Sequence, residues 1–99
     1  MNIAIPEQQL AAFCQQYNIY SLSIFGSALR PDFNEDSDID ILVEFKPDHT
    51  PGLFTIARME GELSEMLGGR KVDLRTPNDL SRYFRQQVIE DAEIQYTAG

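Results

Sequence analysis

The sequence has no tryptophan and a single cysteine, Cys14, so no internal disulfide can form and a reducing compartment is expected. Basic residues are also scarce. Eight Lys and Arg stand against sixteen Asp and Glu, a formal net charge of −8. Such a surface repels phosphate backbones, and direct nucleic-acid binding is not expected. No apolar run approaches the roughly 18 residues that cross a bilayer, which argues against a membrane span. The first ten residues lack a basic cluster followed by an apolar stretch, so no secretory signal is visible and a cytoplasmic protein is expected. Repeats, low-complexity tracts and linkers are missing too, and residues 1–99 are read as one domain. The chain does have enough apolar residues for a core: 42% of it is hydrophobic, including six Phe and four Tyr. The acidic excess serves solubility, waits for metal ions or matches a basic protein partner, and composition leaves all three open.

The apolar pattern alternates helical and strand periods, which predicts an α/β (α+β) domain with a small mixed sheet of about three or more strands and helices on one face. Pro6 suits a first helical turn, and Leu10, Phe13, Cys14 and Tyr17 follow on one stripe of a helix ending near Asn18. Residues 20–25 read as a strand that Gly26-Ser27 breaks. A brief helical turn from Ser27 is stopped by Pro31, and residues 31–37 form a polar loop. DIDILVEF, residues 38–45, is the most β-like stretch. After Pro47, Pro51 and Gly52 a helix runs to about Leu67, with Leu53, Ile56, Leu63 and Met66 or Leu67 inward and Gly68-Gly69 as its stop. Residues 71–75 form a third strand. Thr76-Pro77-Asn78-Asp79 then starts a last helix that buries Leu80, Tyr83, Phe84, Val88 and Ala92 and extends to about Tyr96.

The acids in the strands are what this pattern leaves unexplained. In residues 38–45 the period of two puts Ile39, Ile41, Val43 and Phe45 on one face and Asp38 and Asp40 on the other. Aspartate is depleted in strands. A solvated strand start and a metal site both account for the pair. On the third strand Val72 and Leu74 take one face and Asp73 the other. If the two strands are near one another, Asp38, Asp40 and Asp73 converge. Three gathered carboxylates repel unless cations join them, and oxygen-only donors suit Mg²⁺ or Mn²⁺ rather than zinc. Gly26-Ser27 offers a complementary half. A glycine at a strand-to-helix turn admits close backbone approach. The following N–H groups and the Ser27 hydroxyl can hold phosphate oxygens, and Arg30 can add a forked cation. Taken alone, a Gly-Ser pair is more often a plain turn.

Gly26-Ser27, ten intervening residues, Asp38-Ile39-Asp40 and a later Asp73 together resemble the nucleotidyltransferase superfamily that includes DNA polymerase β, poly(A) polymerases and aminoglycoside nucleotidyltransferases. The likeness spans nearly the whole chain. Arg30 in G-S-x-x-R and Ser37 in S-D-x-D also match its small bacterial and archaeal branch, the minimal nucleotidyltransferases (MNT) encoded beside HEPN-domain toxins. The resemblance implies an antitoxin that uses ATP to attach AMP to a tyrosine hydroxyl of a HEPN ribonuclease toxin, forming a hetero-oligomer with it. It implies that Asp38 and Asp40 bind two Mg²⁺ ions, with Mn²⁺ as a substitute. It implies that Asp73 completes the second metal site and helps deprotonate the acceptor. Gly26 and Ser27 would hold the phosphates of the leaving pyrophosphate, assisted by Arg30 and Ser37. No acceptor domain is visible, which favours a protein acceptor from a separate molecule. Two other readings stay open: an antitoxin that merely masks its toxin, and a transferase acting on a small-molecule hydroxyl.

Other residues are assigned plainer roles. His49, in the break DHTPG, reads as a solvated loop residue. Cys14 reads as a buried inert thiol. Asp32, Glu35 and Asp36 read as solvated loop acids bordering the site. Phe33 and Phe54 are candidates for either core or interface.

Overall fold

The computed structural model describes residues 5–29, 31 and 37–98, with the backbone alone at Ser27 and Ala28. Helix α1, Glu7–Gln16, starts after Pro6, and Leu10, Phe13 and Cys14 form its buried stripe. Asn18, in the left-handed region at φ 56°, turns the chain directly into strand β1, Ile19–Phe25. A 3-10 turn, Gly26–Leu29, follows. Strand β2 is Ile39–Phe45, helix α2 Leu53–Met66 and strand β3 Val72–Arg75. A second 3-10 turn, Pro77–Asp79, precedes a short helix α3, Arg85–Asp91, and a fourth strand β4, Glu93–Thr97.

The sheet order is β3-β2-β1-β4. β1 pairs antiparallel with both β2 and β4, while β2 and β3 are parallel. Parallel neighbours need a crossover, and α2 supplies it. Along β2 the expected inward residues Ile39, Ile41 and Val43 are fully buried, but Phe45 is half-buried and Leu42, on the other face, is buried as well. Ile39, Ile41 and Val43 join Leu22 and Ile24 of β1 and Val72 and Leu74 of β3 in one core. Leu10, Phe13 and Cys14 of α1 and Met59 and Leu63 of α2 cover that core from one side.

Three expectations fail. The final helix does not run to Tyr96. It ends at Asp91, and residues 93–97 instead pair with β1, Ser21 opposite Thr97 and Leu22 opposite Tyr96. The β1 edge away from β2 would otherwise lack ladder partners, and this pairing outweighs the helical stripe. Tyr83 and Phe84, expected inside, are 79% and 66% exposed, while Leu80, Val88 and Ala92 are only half-buried. Leu53 opens α2 facing solvent at 87% exposure, whereas Ile56, Leu63 and Leu67 do turn inward. The helix start at Thr76 is real but brief. The Asp79 carboxylate accepts the Thr76 N–H at 3.0 Å, over a single 3-10 turn.

Candidate active site

The sheet register brings two of the three strand acids together. Asp40 in β2 is the direct partner of Asp73 in β3. Parallel strands lie about 4.8 Å apart, so the two half-buried side chains emerge side by side. They do so on the face opposite Ile39, Ile41, Val72 and Leu74, which are packed in the core. Phe25, the last residue of β1, is Asp40's register partner on the other side.

Asp38 stands just before β2. The Ile39 N–H donates to the Lys71 carbonyl at 2.9 Å, which sets Asp38 beside the start of β3. Its carboxylate oxygen lies 3.6 Å from Lys71 Nζ. Both groups are open to solvent, so this ion pair is weak and easily exchanged. Among the described residues no three His, Cys, Asp or Glu side chains stand close enough together to hold a metal ion. Asp40 and Asp73 are thus brought together, while Asp38 sits next to them facing a lysine.

Gly26 links the two halves of the motif. It opens the turn after β1 at φ +70°, a conformation that side-chain-bearing residues rarely adopt. A Cβ built on it would overlap a carboxylate oxygen of Asp40 and lie 3.3 Å from Asp40 Cγ. The missing side chain is therefore the space that the Asp40 carboxylate uses. Sequence reasoning assigned that space to an approaching ligand, and the structure shows an acid of the site in it. The Ser27 backbone lies in this turn, directly after Gly26. The Ser27 side chain and all of Arg30 fall outside the described residues, as do Asp32, Phe33, Glu35 and Asp36. Ser37 is half-buried directly before Asp38. An all-oxygen donor pair on one sheet face, with a side-chain-free turn against it, fits a hard divalent cation carrying a phosphate chain.

Groups set aside on sequence grounds lie elsewhere. Cys14 is fully buried, and burial pushes its thiol up to about 12, which keeps it protonated and inert. The Tyr17 hydroxyl donates to Glu62 Oε2 at 2.7 Å. Burial first, then the bond to Glu62 and its charge, raise this phenol above its usual range, with Arg58 opposing. His49 is exposed after β2.

Two features escaped sequence reasoning. Glu60 of α2 accepts the Leu74 N–H at 2.8 Å and so satisfies the outer edge of β3 next to Asp73. A cleft of about 420 Å³ also opens between the end of β1 and α3, lined by Phe25, Gly26, Leu29, Phe84, Gln87, Val88 and Asp91. Its α3 wall was hidden because Phe84 and Val88 share a helical stripe that the sequence alone assigns to the core.

Comparison with known proteins identifies the class of site. The nucleotidyltransferase domain family matches residues 6–95. The chain belongs to this family. A Methanocaldococcus jannaschii relative, provisionally named a protein adenylyltransferase, is 34% identical over 92 residues, spanning 93% of this chain and 96% of that one. Protein adenylyltransferase MntA of Thermococcus cleftensis is 32% identical over 77 residues, 78% of this chain and 75% of its own. Among solved structures, a provisionally named minimal nucleotidyltransferase superposes with a TM-score of 0.69 at 31% identity, covering 87% of this chain and 85% of the other. A chain in the complex of tri-AMPylated Shewanella oneidensis HEPN toxin with its MNT antitoxin superposes with a TM-score of 0.60 at 19% identity, covering 93% and 70%. At that identity the second likeness speaks for fold alone. The four-stranded mixed sheet with three helices is that of the minimal nucleotidyltransferases, and the chain is an enzyme of the nucleotidyltransferase class.

Proposed function

We propose that this nucleotidyltransferase uses ATP and Mg²⁺ to transfer AMP onto a tyrosine hydroxyl of a partner HEPN-type toxin, and so acts as an antitoxin. The observation that carries the reading is the register pairing of Asp40 with Asp73, with Gly26 closing on the Asp40 carboxylate. Named relatives support the choice of nucleotide and acceptor class: two are named protein adenylyltransferases, and the fold recurs in a complex with an AMPylated HEPN toxin.

Asp40 and Asp73, paired in register, would hold Mg²⁺ together with Asp38 once its carboxylate turns from Lys71, two ions in all, with Mn²⁺ as a substitute. When bound, these ions supply charge neutralisation at the attacking and leaving oxygens of an in-line displacement. Gly26 and Ser27 would hold the β- and γ-phosphates through backbone N–H groups and a hydroxyl, and Arg30 and Ser37 would assist, as the family motif implies. Lys71 lies 3.6 Å from the Asp38 carboxylate in a solvent-exposed pair that an arriving ligand can displace. The acceptor oxygen attacks the α-phosphorus and the bond to the bridging oxygen of pyrophosphate breaks. The phenolic proton passes to the Asp73 carboxylate. AMP on the toxin adds negative charge and bulk, which repels the phosphates of an RNA substrate without a lasting complex.

The test is intact-mass analysis of an excess of toxin incubated with catalytic amounts of this protein, ATP and Mg²⁺. The toxin should gain mass in AMP increments and lose ribonuclease activity, and Asp38→Asn/Asp40→Asn should abolish both. A double mutant that still neutralises at equal stoichiometry, with no mass increment, would make the protein a masking antitoxin.

A further inference from the structure

An in-line displacement fixes the side from which the acceptor arrives, because the attacking oxygen stands opposite the leaving group. With the β- and γ-phosphates at Gly26, pyrophosphate departs on the β1 side of the sheet. Asp73 lies on β3, an edge strand separated from β1 by β2. The acceptor hydroxyl therefore comes in across β3.

A cavity of about 390 Å³ opens on that side, between the start of α2 and the end of β3. Pro51, Leu53 and Ile56 give it an apolar wall, Glu60 and Asp79 line it with carboxylates, and Arg75 is the cation among its lining residues. Arg75 follows Asp73 by two positions in β3 and so shares its face of the sheet, which places the cavity next to the acids. Leu53 and its neighbour Phe54 begin α2 at 87% and 94% exposure. A single exposed leucine is ordinary, but two large apolar side chains in succession beside an apolar wall offer an anchor for a partner.

Charge selects the kind of partner. A ribonuclease holds RNA phosphates with Lys and Arg, and a tyrosine whose AMP repels RNA lies within that basic surface. The cavity is of the opposite sign: two carboxylates face one guanidinium, Asp40 and Asp73 adjoin, and the chain as a whole carries −8. Opposite potentials of this kind steer the encounter and fix its register.

We infer that the cavity at the β3 edge is the docking groove for the protein acceptor: Leu53 and Phe54 receive an apolar side chain beside the target tyrosine, and Glu60 and Asp79 face the Lys or Arg residues around it. The inference rests on the transfer reading above and deepens it by naming the surface that selects the acceptor. The tyrosine oxygen bonds to the α-phosphorus, pyrophosphate leaves toward Gly26, and the phenolic proton passes to Asp73.

The experiment measures steady-state AMP transfer to the HEPN-type toxin, and Mg-ATP binding by calorimetry, on wild type, Leu53→Ala/Phe54→Ala, Asp79→Asn and Ile94→Ala. Leu53, Phe54 and Ile94 are exposed and alanine suits a helix, so these variants fold. Asn at position 79 keeps an oxygen for the Thr76 N–H. Leu53→Ala/Phe54→Ala should raise the KM for toxin about tenfold or more, with kcat within about twofold of wild type and Mg-ATP affinity unchanged. Asp79→Asn should raise that KM about two- to fivefold and flatten its rise with salt. Ile94→Ala, on the opposite sheet edge, should behave as wild type. A Leu53→Ala/Phe54→Ala protein with the wild-type KM for toxin, or a KM raised by Ile94→Ala instead, refutes the groove while the transferase reading stands. Weakened Mg-ATP binding in the double variant would also refute it, by assigning the cavity to the donor. A wild type that modifies no HEPN-type toxin removes the underlying reading, and the groove with it.

Discussion

Replacing Gly26 with alanine separates two consequences of the Gly26 turn. The first is backbone strain: a side chain in the left-handed region costs about 1–2 kcal/mol. The second is steric: the new methyl overlaps the Asp40 carboxylate, so either the acid rotates away or the turn opens, at about 1–3 kcal/mol more. Gly69 is an internal control. It has φ +87°, yet nothing lies within 4 Å of a Cβ built there. Gly69→Ala therefore carries the strain without the collision. In a domain of 99 residues each kcal/mol moves Tm by about 4–8 °C. Gly69→Ala should lower Tm by roughly 4–16 °C and leave AMP transfer unchanged at a temperature where both variants are folded. Gly26→Ala should lower it further and cut transfer about 100-fold, since an acid displaced by about 1 Å disrupts alignment. Thermal melts by circular dichroism and single-turnover transfer assays read the two effects. A Gly26→Ala protein that melts with Gly69→Ala and transfers at the wild-type rate would show that the turn does not shape the site.

Gly61→Ala should do the opposite, because Gly61 lies inside α2 with open space around it. A gain of about 1 kcal/mol in urea melts is expected, without loss of transfer. Glu60→Ala leaves the Leu74 N–H at the β3 edge without its acceptor, which should cost about 1.5–3 kcal/mol and raise the KM for Mg-ATP through loosened placement of Asp73. The Cys14 thiol, raised to about 12 by burial, should resist alkylation at pH 8 at the rate set by local opening, and denaturant should make it react fully. Because its folded pKa exceeds the unfolded value of 9.0, the associated stability is complete below pH 9 and is lost as pH climbs toward 12, readable as an alkaline fall in Tm that Cys14→Ala lessens.

Much of this site is visible in the sequence because strand periodicity has only one way to sort Ile39-Asp40-Ile41 and Val72-Asp73-Leu74 once one face is buried. That sorting predicts which side of the sheet carries the acids. It does not predict that β2 and β3 are adjacent and in register, which depends on α2 crossing over between them. The C-terminal error has the same origin in reverse. The stripe from Leu80 to Ala92 continues a helical period into residues that a sheet edge claims. Ile94 and Tyr96 alternate as a strand would, but five residues are too short for period to outweigh the preceding stripe. Side-chain-to-backbone bonds such as Glu60 to Leu74 leave no sequence pattern, since any acid on that helix face could make them. The nearness of Gly26 to Asp40 was legible only as motif spacing, and its steric content needed coordinates.

The central claim, transfer of a nucleotidyl group by the Asp40–Asp73 site, is tested most directly by the fate of each phosphorus of ATP. ATP labelled at the α-phosphorus should leave its label on the HEPN-type acceptor and release unlabelled pyrophosphate in equal amount, and Asp40→Asn should eliminate both products. Label arriving from the γ-phosphorus instead, or α-label transfer that survives Asp40→Asn, would contradict the account.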